Sequence, residues 1–385
     1  MESKRRSLPS PHLLASALAL ALLPPAAFAN DAGATGQATD LDAVVVTASP
    51  LKGNAESVAT PVEVLYGEDL DKAKSGTLGE TVAKLPGVQT TYFGTGVGRP
   101  IIRGQEGPRV QVLSGGIGSM DASTVSADHA VSIEPFLADQ IEVLKGPATL
   151  LFGSGAIGGA VNVVDGRLAG TIPDEPLGGR AEIRGNTVND ERTGMFRLDG
   201  VNGNWVLHVD GLVRDTDDYD IPGVAILHDH EEGEEHEEEP QPEGTLPNSS
   251  VKTRAGAIGA TWLGEGGYFG LAGSTYRSNY GIPAGAHVHG EEDHDHDHDG
   301  EADHDEEAHE EGAVRIDMVQ NRVDLKTGIY NPVSFLQSVN LRAAWNDYEH
   351  VELEGGLPAP RFTNEGYDAR LEAVQKDWNG WRGAF

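Results

Sequence analysis

No cysteine occurs anywhere in the 385 residues. A disulfide scaffold is thereby excluded, and so are thiolate metal sites, leaving His, Asp and Glu to hold any metal. Long hydrophobic runs are missing as well. The stretch Leu13 to Leu23 is eleven residues, no later segment does better, and a membrane-spanning helix needs ~20. Positive charge is scarce: 28 Lys and Arg face 61 Asp and Glu, for a net charge of −33. The excess is local. Residues 228–239 carry eight acids and residues 291–311 carry thirteen, with no Lys or Arg in either run; −33 without those 21 acids is −12. An anionic partner such as nucleic acid is disfavoured, and the field of the two runs favours a cation. No nucleophile, base and orienting residue stand at recognisable spacing, so neither an enzyme nor a catalytic cofactor is expected.

What is present begins with an export signal. Lys4, Arg5 and Arg6 precede the apolar stretch, and Ala27-Phe28-Ala29 reads as a cleavage site, so residues 1–29 are expected to be a signal peptide. Residues 30–41 form a polar, small-residue tail. Residues 42–50 are a β-branched patch ending at Pro50. From 54 to about 168 the chain reads as one α+β domain. Thr77-Leu78-Gly79-Glu80 is a capping box opening a helix through Lys84, stopped by Pro86-Gly87. Val110 to Leu113, Ile141 to Leu144 and Val161 to Val164 read as strands. The glycine-rich turn Gly153 to Ala160 lacks the lysine and spacing of a phosphate loop.

From about 179 onward residues alternate in polarity. Val323, Leu325, Thr327 and Ile329 share one strand face, and Arg322, Asp324 and Lys326 the other; Val339, Leu341, Ala343 and Trp345 oppose Ser338, Asn340 and Arg342. Similar runs occur at 180–188, 194–201, 204–214, 251–263, 267–277 and 368–373; about nine strands are expected in all, the last cut off at Phe385. A soluble sandwich also alternates. Strands of ten or more residues joined alternately by short turns (Asn202-Gly203, Glu265-Gly266) and very long loops point instead to a transmembrane barrel. Nine strands cannot enclose the preceding domain, so a fragment of a larger barrel is expected.

Leu85-Pro86-Gly87-Val88, then Pro100-Ile101-Ile102-Arg103-Gly104, then Arg109 to Leu113 follow one another in a familiar order. With the long run Ile141-Glu142-Val143-Leu144-Lys145-Gly146-Pro147 through Val163, they resemble the plug domain of TonB-dependent outer-membrane receptors. The resemblance covers residues 42–385. It implies a plug at 54–168 folded inside a barrel of about 22 strands, of which 179–385 is the N-terminal part, in the outer membrane of a Gram-negative bacterium. The TonB energy-coupling complex and outer-membrane lipid are the implied partners, and the receptor is expected to be a monomer. Asp42, Ala43, Val44, Val45, Val46, Thr47 and Ala48 look like the TonB box; three valines without a pairing partner can add as a strand to another protein's sheet edge.

Cargo must be read from the loops. His228, His230 and His236 lie among glutamates; His287, His289, His294, His296, His298, His304 and His309 lie among Asp and Glu. Imidazole and carboxylate suit zinc, with copper and nickel close behind. In an extended chain His294, His296 and His298 share one face, the pattern of a weak, multi-ion collector rather than a single tetrahedral site. A plain solvated acidic loop is the alternative, but ten of the fourteen histidines fall in these two loops. Asp128 and His129 in the plug are the candidate fixed site, and the resemblance to the zinc-uptake branch supports that role. His350, Glu352 and Glu354 alternate at a strand end, facing one way, and either add ligands or line a polar lumen. His208 and His12 are read as non-ligands. The expected function is zinc import. A receptor for copper, nickel, haem or a siderophore is the alternative, and a secreted metal-buffering β protein a more distant one.

Overall fold

Short aliphatic runs punctuated by glycine build the first domain, and long alternating runs build the second. The computed structural model describes residue 46 and residues 62–225, 243–283 and 313–385. In the first domain the strands are β1 (Val62–Tyr66), β2 (Val88–Thr90), β3 (Pro100–Ile102), β4 (Val110–Ser114), β5 (Ile117–Gly118), β6 (Gln140–Leu144) and β7 (Gly159–Val164). Five of them form a mixed sheet in the order β1-β6-β7-β4-β5, with β4 and β7 parallel; β2 and β3 pair separately. Leu70 and Leu78, from helices Gly67–Ala73 and Leu78–Val82, share a buried cluster with Ile141, Val143 and Val161. The second helix stops two residues short of the expected Lys84. Thr77 caps it by accepting the Glu80 N–H at 3.3 Å. The Glu80 carboxylate accepts from Ser75 Oγ at 2.8 Å, so only half of the expected box forms.

The remaining strands are β8 (Leu177–Asn186), β9 (Glu191–Asn202), β10 (Trp205–Asp215), β11 (Tyr219–Asp220), β12 (Thr245–Leu246), β13 (Val251–Gly264), β14 (Gly267–Ile282), β15 (Val314–Tyr330), β16 (Leu336–Glu354) and β17 (Leu357–Gln375). Apart from the small β11–β12 ribbon they form one antiparallel sheet, β8-β9-β10-β13-β14-β15-β16-β17. Among the described residues it contains eight strands, close to the expected number of about nine. Beyond Gln375 the chain turns at Asn379 and Gly380, both at positive φ, and folds back so that Phe385 exchanges two backbone hydrogen bonds with Ala373.

Polarity across this sheet is inverted relative to a soluble protein. On β10, Trp205, Leu207 and Val213 are 43–52% exposed, while inward-facing His208, Asp210 and Arg214 are 3–5% exposed. An apolar outer face and a polar inner one suit a hydrocarbon layer outside and a filled lumen within. The first domain supplies the filling, and polar and charged barrel side chains grip its backbone. Arg322 donates to the Gly118 carbonyl at 2.7 Å, Arg342 to Gly115 at 2.8 Å and Gln320 to Ser119 at 2.9 Å. Arg214 pairs with buried Glu134 at 2.9 Å.

β15 and β16 extend well beyond the alternating stretches read from sequence, because the pattern changes phase along them. Below, the apolar side chains Val323, Leu325 and Ile329 point outward. Above, Ile316 and Met318 point inward and are fully buried, and Arg315 and Asp317 take the outer positions. The strand has left the hydrocarbon there and packs its inner face on the plug.

Candidate metal centre

The plug segment that meets this upper rim is held at several points. Asp121 closes it: one carboxylate oxygen accepts the Ser123 N–H at 3.1 Å, the other the Ser132 N–H at 3.0 Å and the Ser132 hydroxyl at 2.7 Å. Arg99 donates to the carbonyls of Ser123 and Ser126. Met120, with φ at 56°, turns its carbonyl toward the sheet, where Asn346 and Asn364 each donate an amide at 3.0 Å. From the barrel, Tyr280 accepts the Ala130 N–H at 2.9 Å. His129 therefore stands on a fixed loop.

Across from it, β16 presents Tyr348, His350 and Glu352 on its inner face, two residues apart. His129 Nε2 lies 3.0 Å from His350 Nε2, and Glu352 Oε1 lies 3.9 Å from each. Among the described residues these three form the group that brings ligand atoms within 4.8 Å of one another. His129 and His350 are buried and Glu352 is partly so. Metal–nitrogen and metal–oxygen bonds of ~2.0–2.2 Å put the ligand atoms of a tetrahedral ion roughly 3.3–3.5 Å apart. The observed separations bracket that spacing, so small side-chain adjustments would complete three corners of a tetrahedron.

The backs of the rings are also engaged. Asp128 Oδ1 accepts from His129 Nδ1 at 2.7 Å and from the Ser126 hydroxyl. Sequence reasoning offered Asp128 as a ligand; its carboxylate is instead turned to the far side of the ring. Burial opposes its ionisation, yet the hydrogen bonds from His129 and Ser126 hold its carboxyl well below the ordinary carboxylate range. It thus fixes the proton on Nδ1 and leaves Nε2 as a lone pair. His350 Nδ1 faces the Tyr348 hydroxyl at 3.0 Å, and Phe362 stacks on its ring with centroids 4.8 Å apart. Tyr348 was legible in principle, since it shares the strand face of His350 at a period of two. Nothing in the sequence pointed to Tyr280 or Phe362.

His208 lies far down the lumen between Asp199 and Asp210, each 2.8 Å from a different ring nitrogen. Carboxylates on opposite sides of one ring offer no common point for an ion. His228, His230, His236, His287, His289, His294, His296, His298, His304 and His309 lie outside the described residues. So does the segment Asp42 to Ala48 except Val46, which is buried.

Residues 54–160 match the family model for the TonB-dependent receptor plug domain. Over 277 residues the chain is 29% identical to the vitamin B12 transporter BtuB of Photobacterium profundum, covering 70% of this chain and 41% of that one. Among solved structures it resembles the copper transporter OprC, with a TM-score of 0.59 at 17% identity over 82% of this chain and 43% of that one. It also resembles the FrpB iron transporter from Neisseria meningitidis (TM-score 0.57, 14% identity, 83% and 46% covered). The chain thus spans less than half the length of these relatives. A plug domain joined to a sheet resembling part of a TonB-dependent barrel is the fold, and the outer membrane of a Gram-negative bacterium is its location.

Proposed function

We propose that this chain is part of a TonB-dependent outer-membrane receptor that imports zinc, with His129, His350 and Glu352 as the ligands of the ion in transit. One observation carries the reading: two buried imidazole nitrogens 3.0 Å apart, with a carboxylate oxygen 3.9 Å from each, at the seam between plug and barrel. The cargoes named for the relatives divide into large chelates and metals, and three ligand atoms within 4.8 Å suit a bare ion rather than a chelate. Nitrogen and oxygen donors without sulfur favour zinc(II) over copper(I). Nickel(II) and copper(II) share the donor preference and are decided by competition.

Capture begins at the acidic, histidine-rich segments 228–239 and 287–311, whose field concentrates cations. The ion passes to the fixed site, where a fourth position stays open for water or an incoming ligand. The TonB complex pulls on the segment around Asp42 to Ala48. His129 rides on the plug and His350 and Glu352 on the barrel, so displacement of the plug divides the ligand set and frees the ion toward the periplasm.

Zinc titration of the purified intact receptor, in competition with nickel(II) and copper(II), tests this. About one tightly held zinc per receptor is expected, lost in His129→Ala and in His350→Ala. A receptor that takes up no zinc at neutral pH but saturates with an organic chelate would falsify the cargo.

A further inference from the structure

Two tyrosines of the barrel reach the metal centre without contributing a ligand. Tyr280 on β14 and Tyr348 on β16 are 0% and 1% exposed, and they share one apolar cluster with Ile316 and Met318. Each hydroxyl makes a polar contact to one half of the centre. Tyr280 Oη accepts the N–H of Ala130, the residue after His129, at 2.9 Å. Tyr348 Oη sits 3.0 Å from His350 Nδ1 and also accepts the Ala122 N–H of the plug. Both rings are closely packed. A Cβ placed on Gly96 of the plug would lie 2.6 Å from Tyr280 Cβ, and the Tyr348 ring meets the His350 ring edge-on, centroids 5.6 Å apart.

An imidazole that binds metal through Nε2 must carry its proton on Nδ1 and give it to an acceptor. For His129 that acceptor is Asp128; for His350 it is the Tyr348 hydroxyl. A buried hydroxyl lost here leaves an N–H without its partner, and the ring free to turn about its χ2. Loss of the Tyr280 hydroxyl has the matching effect on the other half, since the plug loop loses its tie to the barrel beside His129.

We propose that the hydroxyls of Tyr280 and Tyr348 are positioning groups that fix the spacing of the two imidazoles. They thereby tune the centre to a small four-coordinate cation, zinc(II), against cations that prefer six ligands, such as nickel(II). The proposal rests on the metal-binding reading above and adds to it the residues that set selectivity.

The test uses the intact receptor and three isosteric variants, Tyr280→Phe, Tyr348→Phe and Tyr276→Phe. Tyr276 is the control: it packs on the same cluster, and its hydroxyl contacts Thr253 and Ser278 rather than either histidine. Zinc(II) and nickel(II) affinities are measured for all four proteins, with cobalt(II) as an optical reporter of ligand geometry. Tyr280→Phe and Tyr348→Phe should each bind zinc about 10–100-fold more weakly, with a smaller loss for nickel and an altered cobalt spectrum. Tyr276→Phe should match the parent. Equal affinities in all three variants, or an equal loss in all three, overturns the proposal, because the hydroxyls would then act only through packing. A parent receptor that binds no zinc removes the metal-binding reading itself, a distinct result.

Discussion

Asp128 shows how one side chain acts through another. It lies one residue from a ligand and offers the right atom type, but its carboxylate addresses His129 Nδ1 rather than the place where the ion would sit. The sequence shows a carboxylate beside an imidazole and cannot show which of them turns inward; that depends on the strand facing the loop, 221 residues away. Asp128→Asn keeps the size and removes the charge, and should weaken zinc binding about 10–100-fold while leaving the protein folded. The pH profile separates its role from that of the imidazoles. Its carboxyl titrates below the ordinary range, so its share of stability is already present at pH 5–8 and is lost only as pH falls far below 3.8. Zinc affinity should nonetheless decline in acid, because protons compete for the imidazole nitrogens; burial and the neighbouring His129 ring hold His350 down at about 4, so its share of the loss comes near that pH. Isothermal titration from pH 7.5 down through pH 4 checks this; an affinity flat across that whole range would remove His350 from the ligand set.

At the scale of elements, the barrel strands were legible where the outer face is apolar and illegible where it is not. Arg322 to Tyr330 and Ser338 to Trp345 alternate strictly, because one face meets hydrocarbon and the other a polar lumen. Further up, Ile316 and Met318 fill the inner face, so the apolar residues change sides and a reader following one phase loses the strand there. The metal centre sits just beyond that change: Met318 pairs with His350, and Ile316 with Glu352. The histidine on β16 could be read as lumen-lining, but its meeting with His129 is a long-range contact that no local period encodes. The plug was the more legible part, through its ordered glycine and proline motifs. What holds it in place is carried by isolated charges. Arg214 and Glu134 are both buried and bonded at 2.9 Å. Arg214→Met strands that carboxylate and should cost about 3–5 kcal/mol of plug stability. Thermal unfolding followed by limited proteolysis of the plug measures it, and zinc affinity at low temperature should change little, since neither residue touches the centre.

For the molecule as a whole, the described strand ends that flank the two acidic segments lie at the rim that carries the centre. Ile282 and Val314, the last strand residues on either side of 283–313, pair with each other, and Val314 pairs with Glu354, two residues from Glu352. On the neighbouring rung Val251, which follows the first acidic segment, pairs with Tyr280. Twenty-one acids without a Lys or Arg among them therefore belong to segments whose described flanks reach the strands around the ligands. Their field raises the local concentration of divalent cations without needing a defined geometry. Capture of this kind matters only while the ion is scarce, because at high concentration the fixed site fills unaided. Deleting residues 287–311 should accordingly lower uptake of zinc at limiting concentration and leave uptake at saturating concentration unchanged. The difference between parent and deletion should also shrink as salt rises, since the screening length falls to ~10 Å at 0.1 M. A deletion strain that matches its parent at limiting zinc in low salt would show that the segment is only a solvated loop. A deficit that persisted at saturating zinc would instead assign the segment a part in the fixed site or in assembly of the barrel.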